Sequence, residues 1–185
     1  MQDIESIKKK TAQFLRDTAS QVLEVAPTAA KSFVFNTSEL TLDPIPTSFL
    51  SRVSRWANNN GQRYIYYFKI IDQSDIEQAY RQYEKAKKDR KAGRAYARLN
   101  RQFRQSQYLY VGSSQNVVLR AKVHLGYGGR TTYAMQLAYW AHDLAMDVEF
   151  RCMSFHGDVN PKALQALEDG VWEELKPMLG RQGAK

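Results

Sequence analysis

The stretch YVGSSQNVVLRAKVH, from Tyr110 to His124, contains the change of pattern on which the fold depends. It begins as an aromatic and aliphatic strand that reaches Gly112, and it continues as a short amphipathic helix. Arg120 and His124 are four positions apart, so they occupy one face of that helix. A strand that leads through a glycine into such a helix indicates a small α/β domain with polar side chains gathered at the junction.

Further stretches have the composition of strands. The sequence RYIYYFKII, residues 63–71, is rich in aromatic and β-branched side chains, and residues 107–111 repeat this character before the glycine. Residues 147–155 alternate enough between apolar and polar side chains to predict another strand. Together these segments predict an α/β fold with a small three-stranded, mainly antiparallel sheet flanked by helices.

Helices are predicted ahead of these strands. Residues 3–25 carry apolar side chains at helical spacing, and a second, shorter helix is expected over residues 47–57. A turn at residues 58–61, Asn-Asn-Asn-Gly, follows. We therefore interpret residues 1–61 as a helical N-terminal appendage and residues 62–185 as the main domain.

Two more helices are predicted towards the C-terminus. One extends from Thr132 to about His142, and the other begins at Pro161, since proline suits the first turn of a helix. The second helix has an apolar stripe at helical spacing, formed by Leu164, Leu167, Val171 and Leu175. Glu168 lies at the edge of this stripe, where an unpaired carboxylate is costly without a metal or a cation.

The segment from residue 74 to residue 105 is dominated by charge. Its four acids are Asp75, Glu77, Glu84 and Asp89, and its ten cations are Arg81, Lys85, Lys87, Lys88, Arg90, Lys91, Arg94, Arg98, Arg101 and Arg104. We expect a basic helical insert of two helices, or of one helix broken at Gly93, packed lightly on the domain. Such an insert is either a solvated helical face, an arm that grips DNA phosphates, or a surface for an acidic partner protein.

The composition of the whole chain favours a polyanionic partner. The net charge is +8 and the isoelectric point about 9.5, and neutralising phosphates with such a surface releases counterions. Cys152 is the only cysteine, which excludes a disulfide framework and a cysteine-based zinc cluster and favours the cytoplasm. No apolar run approaches about 18 residues, so we expect no membrane span.

Phosphodiester hydrolysis requires a metal held by a carboxylate, a group that takes a proton from water, and a cation that complements the charge of the transition state. The chain has candidates for each requirement. Tyr66 on one predicted strand faces Tyr110 on another, Arg120 and His124 follow on one helix, and Glu168 supplies a carboxylate.

These residues resemble the motifs of the GIY-YIG nuclease family. The second motif reads Tyr110-Val111-Gly112, and the first is the degenerate sequence Tyr64-Ile65-Tyr66. Arg120 lies ten positions after Tyr110, and His124 follows four positions later, at the spacings expected for the family. Glu168 precedes Pro177 by nine positions, as the metal-binding glutamate of the family does. The resemblance covers roughly residues 62–183.

The resemblance implies a metal-dependent DNA endonuclease with one divalent ion, Mg²⁺ or Mn²⁺, held by Glu168. Tyr66 would act as general base or position the attacking water, and Tyr110 would belong to the same hydrogen-bond network. Arg120 would bind the scissile phosphate, and His124 would assist with water or with proton transfer. Within YIYYF, Tyr64 and Tyr67 remain alternatives to Tyr66 for the functional hydroxyl.

Two departures from the family pattern support an alternative function. Gly180 occupies the place where family members often carry an asparagine, and Tyr64 replaces the first glycine of the first motif. The basic insert also separates two motifs that a short hairpin usually joins, but an insert at a hairpin tip is tolerated because its two ends stay close. The alternative is a catalytically degenerate GIY-YIG fold that binds DNA or a protein without cutting.

Further contacts with nucleic acid are predicted around the helix that carries Arg120. Ser114 precedes that helix, Lys122 lies on it, and Arg130 follows the glycine-rich loop after it. DNA is the expected partner, although the residues leave open RNA, homodimerisation through the N-terminal segment, and a role in restriction, phage defence, mobile elements, repair or toxicity.

Overall fold

The structure is a computed structural model that describes residues 3–57 and 61–183. Within these residues the chain forms one sheet of four strands and five α-helices. In chain order the elements are α1 (Ile4–Glu24), β1 (Ala29–Asn36), α2 (Ser48–Trp56), β2 (Arg63–Ile70), α3 (Ile76–Lys88), β3 (Tyr108–Ser114), α4 (Val117–Leu125), β4 (Asp147–Phe155) and α5 (Pro161–Leu175).

The sheet is antiparallel throughout, with the strand order β1-β4-β2-β3. Side chains of a strand alternate between its faces, and β2 buries both of them. Tyr66 and Phe68 enter the main core, where α2, α3 and α4 contribute apolar side chains. Ile65 points to the other face and packs with Leu164 of α5 in a smaller core. The sheet is therefore the central layer of the molecule, and β3 is one of its two edges.

The fourth strand, β1, corrects the prediction of a three-stranded sheet. It pairs with β4 along its whole length, from Ala29 opposite Ser154 to Asn36 opposite Asp147. As an edge strand β1 buries few apolar side chains, chiefly Phe33 and Phe35, so its local pattern is weak. Its partner strand lies more than a hundred residues away, and no local signal reveals such a pairing.

The class of the fold and most of the predicted elements are confirmed. The α/β character and the antiparallel sheet are as expected, and the ends of α1, α2, β2, β4 and α5 lie close to their predicted positions. The division of the chain at residue 61 stays a prediction, and β1 joins the sheet from the N-terminal side of that division. Residues 58–60 of the predicted turn lie outside the described residues.

The basic insert contains one α-helix, α3, which ends at Lys88. It is neither the two helices nor the single helix broken at Gly93 that were predicted. After Gly93 the backbone is extended, and Tyr96 and Leu99 form isolated bridges with Ala134 and Leu179. The amide of Ala97 donates to the carbonyl of Ala134, so these residues find partners in other segments and do not form a helix of their own. The expectation of light packing is also wrong, because Tyr83 and Tyr96 of the insert are buried in the main core.

The predicted helix from Thr132 to His142 is replaced by two short 3-10 turns, at Leu137–Tyr139 and His142–Leu144. Gln136 has a φ of 60°, in the left-handed region, which interrupts any continuous helix. Its buried amide donates to the carbonyls of Ala95 and Thr132, and these two hydrogen bonds hold the unusual backbone in place. Tertiary contacts thus override the local helical pattern.

The centre of the main core is aromatic. Phe150 on β4 lies within 4.7 to 6.4 Å, between ring centroids, of Phe33, Tyr66 and Phe68. Cys152 on the same strand is buried. Across residues 3–57 and 61–183, no helix has both the length and the apolar character needed to cross a membrane.

Candidate active site

The candidate site begins where β2 and β3 pair. Tyr66 lies opposite Gly112 in the register of the two strands, and its ring stacks on that of Tyr110 with 6.5 Å between centroids. A Cβ atom at Gly112 would lie only 2.8 Å from Tyr66 Oη and 2.9 Å from Tyr110 Cε1. Glycine is therefore required for the close approach of both tyrosines. It does not end the strand as the sequence pattern predicts, since β3 continues to Ser114.

Helix α4 adds the arginine and the histidine. Asn116 caps its first turn by accepting a hydrogen bond from the amide of Leu119, and the following turns direct Arg120 and His124 towards Tyr66. Tyr66 Oη lies 3.3 Å from His124 Nε2, and Arg120 Nε donates to Tyr66 Oη over 3.5 Å. The ring of Tyr110 packs on His124 with 4.2 Å between centroids. Four of the five predicted catalytic residues are thus brought together.

Burial sets the protonation of this group. His124 is fully buried, and both the loss of hydration and the nearby charge of Arg120 keep its pKa well below the usual value. Burial also raises the pKa of Tyr66, with a further contribution from Tyr110, while Arg120 acts in the opposite direction. Both groups are neutral near pH 7. The Tyr66 hydroxyl can then donate to a neutral His124 while it accepts from Arg120.

Glu168 reaches the site from the opposite face of the sheet. Ser113, the neighbour of Gly112 on β3, donates from Oγ to Glu168 Oε2 over 2.5 Å. Burial raises the pKa of Glu168, and the hydrogen bond from Ser113 opposes this shift. Because β3 is an edge strand, Glu168 on one face and Tyr66 on the other both line a single cleft of about 1460 Å³.

The same cleft contains most of the exposed cations of the insert. Its lining includes three acids, Glu84, Asp89 and Glu168, and eight cations, namely Arg81, Lys85, Lys87, Lys88, Arg98, Arg101, Arg120 and Arg181. The excess of cations makes the cleft a site for anions.

The three predicted nucleic-acid contacts lie elsewhere. Ser114, Lys122 and Arg130 are outside the lining of the cleft. Ser114 Oγ accepts from the amide of Asn116, which is a local capping contact. Lys122 and Arg130 are exposed to solvent. Contact of these residues with DNA stays a prediction, and any such contact would lie beyond the cleft.

Asn100 is a residue of the site that the sequence did not single out. It is 2% exposed, and its Nδ2 donates to the carbonyls of Pro177 and Gly180, over 2.9 and 3.1 Å. Gly180 has a φ of 99°, and a Cβ atom there would lie 2.8 Å from Tyr110 Cε2. Glycine is therefore required at position 180 for steric reasons. The loop that supports Tyr110 is held by Asn100 of the insert. Asn100 lies in a segment dominated by charged residues, and no motif or local periodicity distinguishes it there.

Little in the described residues suggests a preformed metal centre. Within residues 3–57 and 61–183, no group of three or more His, Cys, Asp or Glu side chains could hold a metal ion. Glu168 is the carboxylate that lines the cleft together with Tyr66 and Arg120. In the described part of the chain it forms no salt bridge. A metal at this position would need ligands from water and from a bound substrate.

We expect Asn100→Ala to lower the free energy of unfolding by about 1–3 kcal/mol, because two buried carbonyls lose their donor. Chemical denaturation monitored by tryptophan fluorescence measures this change. Gln102→Ala, at an exposed position two residues away, is the matched control. An unchanged stability of Asn100→Ala would show that the loop of Gly180 does not depend on this amide.

We expect the stability of the protein to depend on pH through His124. Its pKa in the folded state is depressed, so its contribution is fully present above about pH 6.5, the ordinary value, and is lost as the pH falls towards the folded-state pKa. The slope for one proton is at most about 1.4 kcal/mol per pH unit. Unfolding measured from pH 8 to pH 5 should show a shallower acid-side loss in His124→Gln. Equal slopes for both proteins would contradict a buried, neutral histidine.

No family model, no curated protein and no solved structure matches this chain. The resemblance to GIY-YIG nucleases therefore rests on the motif residues, whose side chains Tyr66, Tyr110, Arg120 and Glu168 line one cleft.

Proposed function

We propose that this protein is a metal-dependent endonuclease that hydrolyses phosphodiester bonds in DNA through a site of the GIY-YIG type. The observation that carries the proposal is the convergence of Tyr66, Tyr110, Arg120 and Glu168 on one cationic cleft. Tyr66 and Tyr110 come from the adjacent strands β2 and β3, and Arg120 and Glu168 come from α4 and α5. Such a gathering of a phenol, a guanidinium and a carboxylate suits phosphoryl chemistry.

Arg120 is the candidate for the scissile phosphate. Arg120 is half-buried and lines the cleft, and its Nε atom donates to Tyr66 Oη. The terminal nitrogens of such a group can donate two parallel hydrogen bonds to phosphate oxygens. A cation held in this way stabilises the charge that develops on the phosphoryl oxygens without further reorganisation.

Tyr66 and His124 form the candidate pathway for the proton. The raised pKa of Tyr66 does not suit a phenolate base in the free protein, so we assign Tyr66 the positioning of the attacking water. His124 Nε2 lies behind the hydroxyl, and a neutral imidazole there can accept a proton that passes through Tyr66. Tyr110 packs against both residues and limits their movement.

Glu168 has the properties expected of a ligand for Mg²⁺ or Mn²⁺. Its charge is largely removed from water, and within the described residues no Lys or Arg pairs with it, so a divalent cation would offset the cost of burial. Mg²⁺ commonly binds through one or two carboxylates together with water and substrate phosphates. When bound, the ion would stabilise charge on phosphoryl and leaving oxygens.

A catalytically degenerate fold that binds DNA or a protein is the second candidate. It is favoured by the complete burial of Tyr66 and by the presence of one carboxylate where metal centres often have several. Both candidates predict binding of polyanions, but they differ in whether Glu168 is needed for cleavage. A role in restriction, phage defence, mobile elements, repair or toxicity is a further proposal, and a cleavage assay alone does not distinguish these roles. Formation of a homodimer is a separate proposal, which cleavage does not test either.

We expect the purified protein to nick or linearise supercoiled plasmid in the presence of Mg²⁺ or Mn²⁺ and to lose this activity in EDTA. Glu168→Gln should reduce cleavage by at least about 100-fold, the scale seen when one catalytic electrostatic group is removed. Glu173→Gln, on the exposed face of α5, is the matched control and should cleave normally. Gel electrophoresis of the products over time gives the rates.

The outcomes of this experiment separate the two candidates. Metal-dependent cleavage that Glu168→Gln removes and Glu173→Gln retains would establish the nuclease and its metal ligand together. Intact plasmid with tight, salt-sensitive binding by all three proteins would instead establish the degenerate binding fold. Single-stranded DNA and RNA tested in parallel would identify the preferred nucleic acid.

Glu168→Gln should also stabilise the metal-free protein at pH 7. The pKa of Glu168 is raised by folding, so its contribution to stability is fully present below its ordinary pKa and is lost as the pH rises through the folded-state value. Glutamine keeps an acceptor for Ser113 and removes the buried charge. Thermal unfolding should therefore show a higher Tm for the variant at pH 7 and a smaller difference near pH 4. A lower Tm of the variant at pH 7 would contradict the inference that the buried charge of Glu168 destabilises the folded protein.

A further inference from the structure

One wall of the cleft is built by the segment 76–101, which comprises α3 and the extended chain after it. Within this segment the lining cations are Arg81, Lys85, Lys87, Lys88, Arg98 and Arg101. Two acids, Glu84 and Asp89, lie among them, so the wall has a clear excess of positive charge. None of its residues belongs to the motifs of the candidate active site.

The cations of α3 occupy one face of the helix. Arg81, Lys85 and Lys88 are separated by four and three positions, which aligns them along the cleft, while Ala79 and Tyr83 on the other face pack into the core. At 1.5 Å per residue, these three side chains span about 10 Å along the helix axis. This length is about three base-pair steps of DNA, in which each strand carries one charge per about 3.4 Å.

The cations of the wall differ in what they already bind. Lys87 donates to the carbonyls of Tyr96 and Ala97, over 3.1 and 2.8 Å, and so has a structural function. Arg81 and Arg101 form salt bridges with acids of α3.

Three cations of the wall are left for a ligand. Lys85, Lys88 and Arg98 are exposed, and within the described ranges none of them is in a salt bridge. Three cations without acidic partners, held along one wall, form a surface for a ligand with repeated negative charge.

The wall is attached to the catalytic part of the molecule. Tyr83 on α3 donates from its hydroxyl to the carbonyl of Ala97, over 2.8 Å. Three residues later, Asn100 holds the carbonyls of Pro177 and Gly180, and Gly180 packs against the ring of Tyr110. This chain of buried contacts connects the wall to the candidate active site.

We propose that Lys85, Lys88 and Arg98 bind phosphates of a DNA strand that extends from the phosphate held by Arg120. The inference rests on the proposed function for the identity of the ligand. An acidic protein is the other polyanion to consider, but strong protein interfaces rely on buried aromatic or apolar anchors. The wall instead presents long cationic side chains, which suit the regular charges of a nucleic-acid backbone.

The test compares two triple variants, both made in the Glu168→Gln protein so that no substrate is cut. The wall variant carries Lys85→Ala, Lys88→Ala and Arg98→Ala. The control variant carries Lys9→Ala, Lys10→Ala and Arg16→Ala, which are exposed cations of α1 outside the cleft. Both variants lose three positive charges, so a difference between them cannot come from net charge.

The dissociation constant for a fluorescent 30-base-pair DNA duplex is measured at several salt concentrations, and thermal melting checks that each variant is folded. The wall variant should reduce the slope of log affinity against log salt by about 2–3, because each lost phosphate contact lowers it by about 0.9. The control variant should keep the slope of the parent protein. Polyglutamate should displace the duplex far less effectively than unlabelled DNA does.

Equal slopes for the wall and control variants would overturn the proposal. Displacement by polyglutamate as effective as displacement by DNA would also overturn it, in favour of an acidic protein as the partner. Plasmid cleavage by the protein with Glu168 intact is measured separately. DNA binding that depends on the wall, in a protein that never cuts DNA, would support the wall and refute the nuclease.

Discussion

The close approach of β2 and β3 at Gly112 is the contact on which the rest of the site depends. A side chain at this position would overlap with both Tyr66 and Tyr110, so the two rings can stack only beside a glycine. Their stacking in turn leaves room for His124 and places the Tyr66 hydroxyl within reach of Arg120. A backbone constraint at one strand position thus determines the geometry of a polar cluster built from three elements.

The position of β3 at the edge of the sheet has a second consequence. In a central strand, the residues on the two faces would be separated by neighbouring strands, and no single cleft could reach both. At the edge, Tyr110 on one face of β3 and Glu168 against the other line the same space, and Ser113 joins Glu168 to the strand itself. The site therefore combines a buried, uncharged pair, Tyr66 and His124, with a carboxylate and a guanidinium that carry its charge.

The insert contributes both to the core of the protein and to the charge of the cleft. One face of α3 and the chain after it supply buried aromatic residues and the amide of Asn100, which hold the loop under Tyr110. The opposite face supplies the cations of the cleft wall. A segment that has the composition of a solvated basic arm is therefore part of the core on one side.

The sequence by itself determined the α/β class, the strands β2 and β4 and the helices with a continuous apolar stripe, because these depend on local periodicity. The spacing of the motifs also identified the residues that line the cleft, namely Tyr66, Tyr110, Arg120 and Glu168. Only the tertiary structure decided the strand β1, the loss of the helix around Gln136, and the contacts of Asn100. Each of these depends on hydrogen bonds between segments far apart in the chain, and the free energy of such bonds is absent from any local pattern.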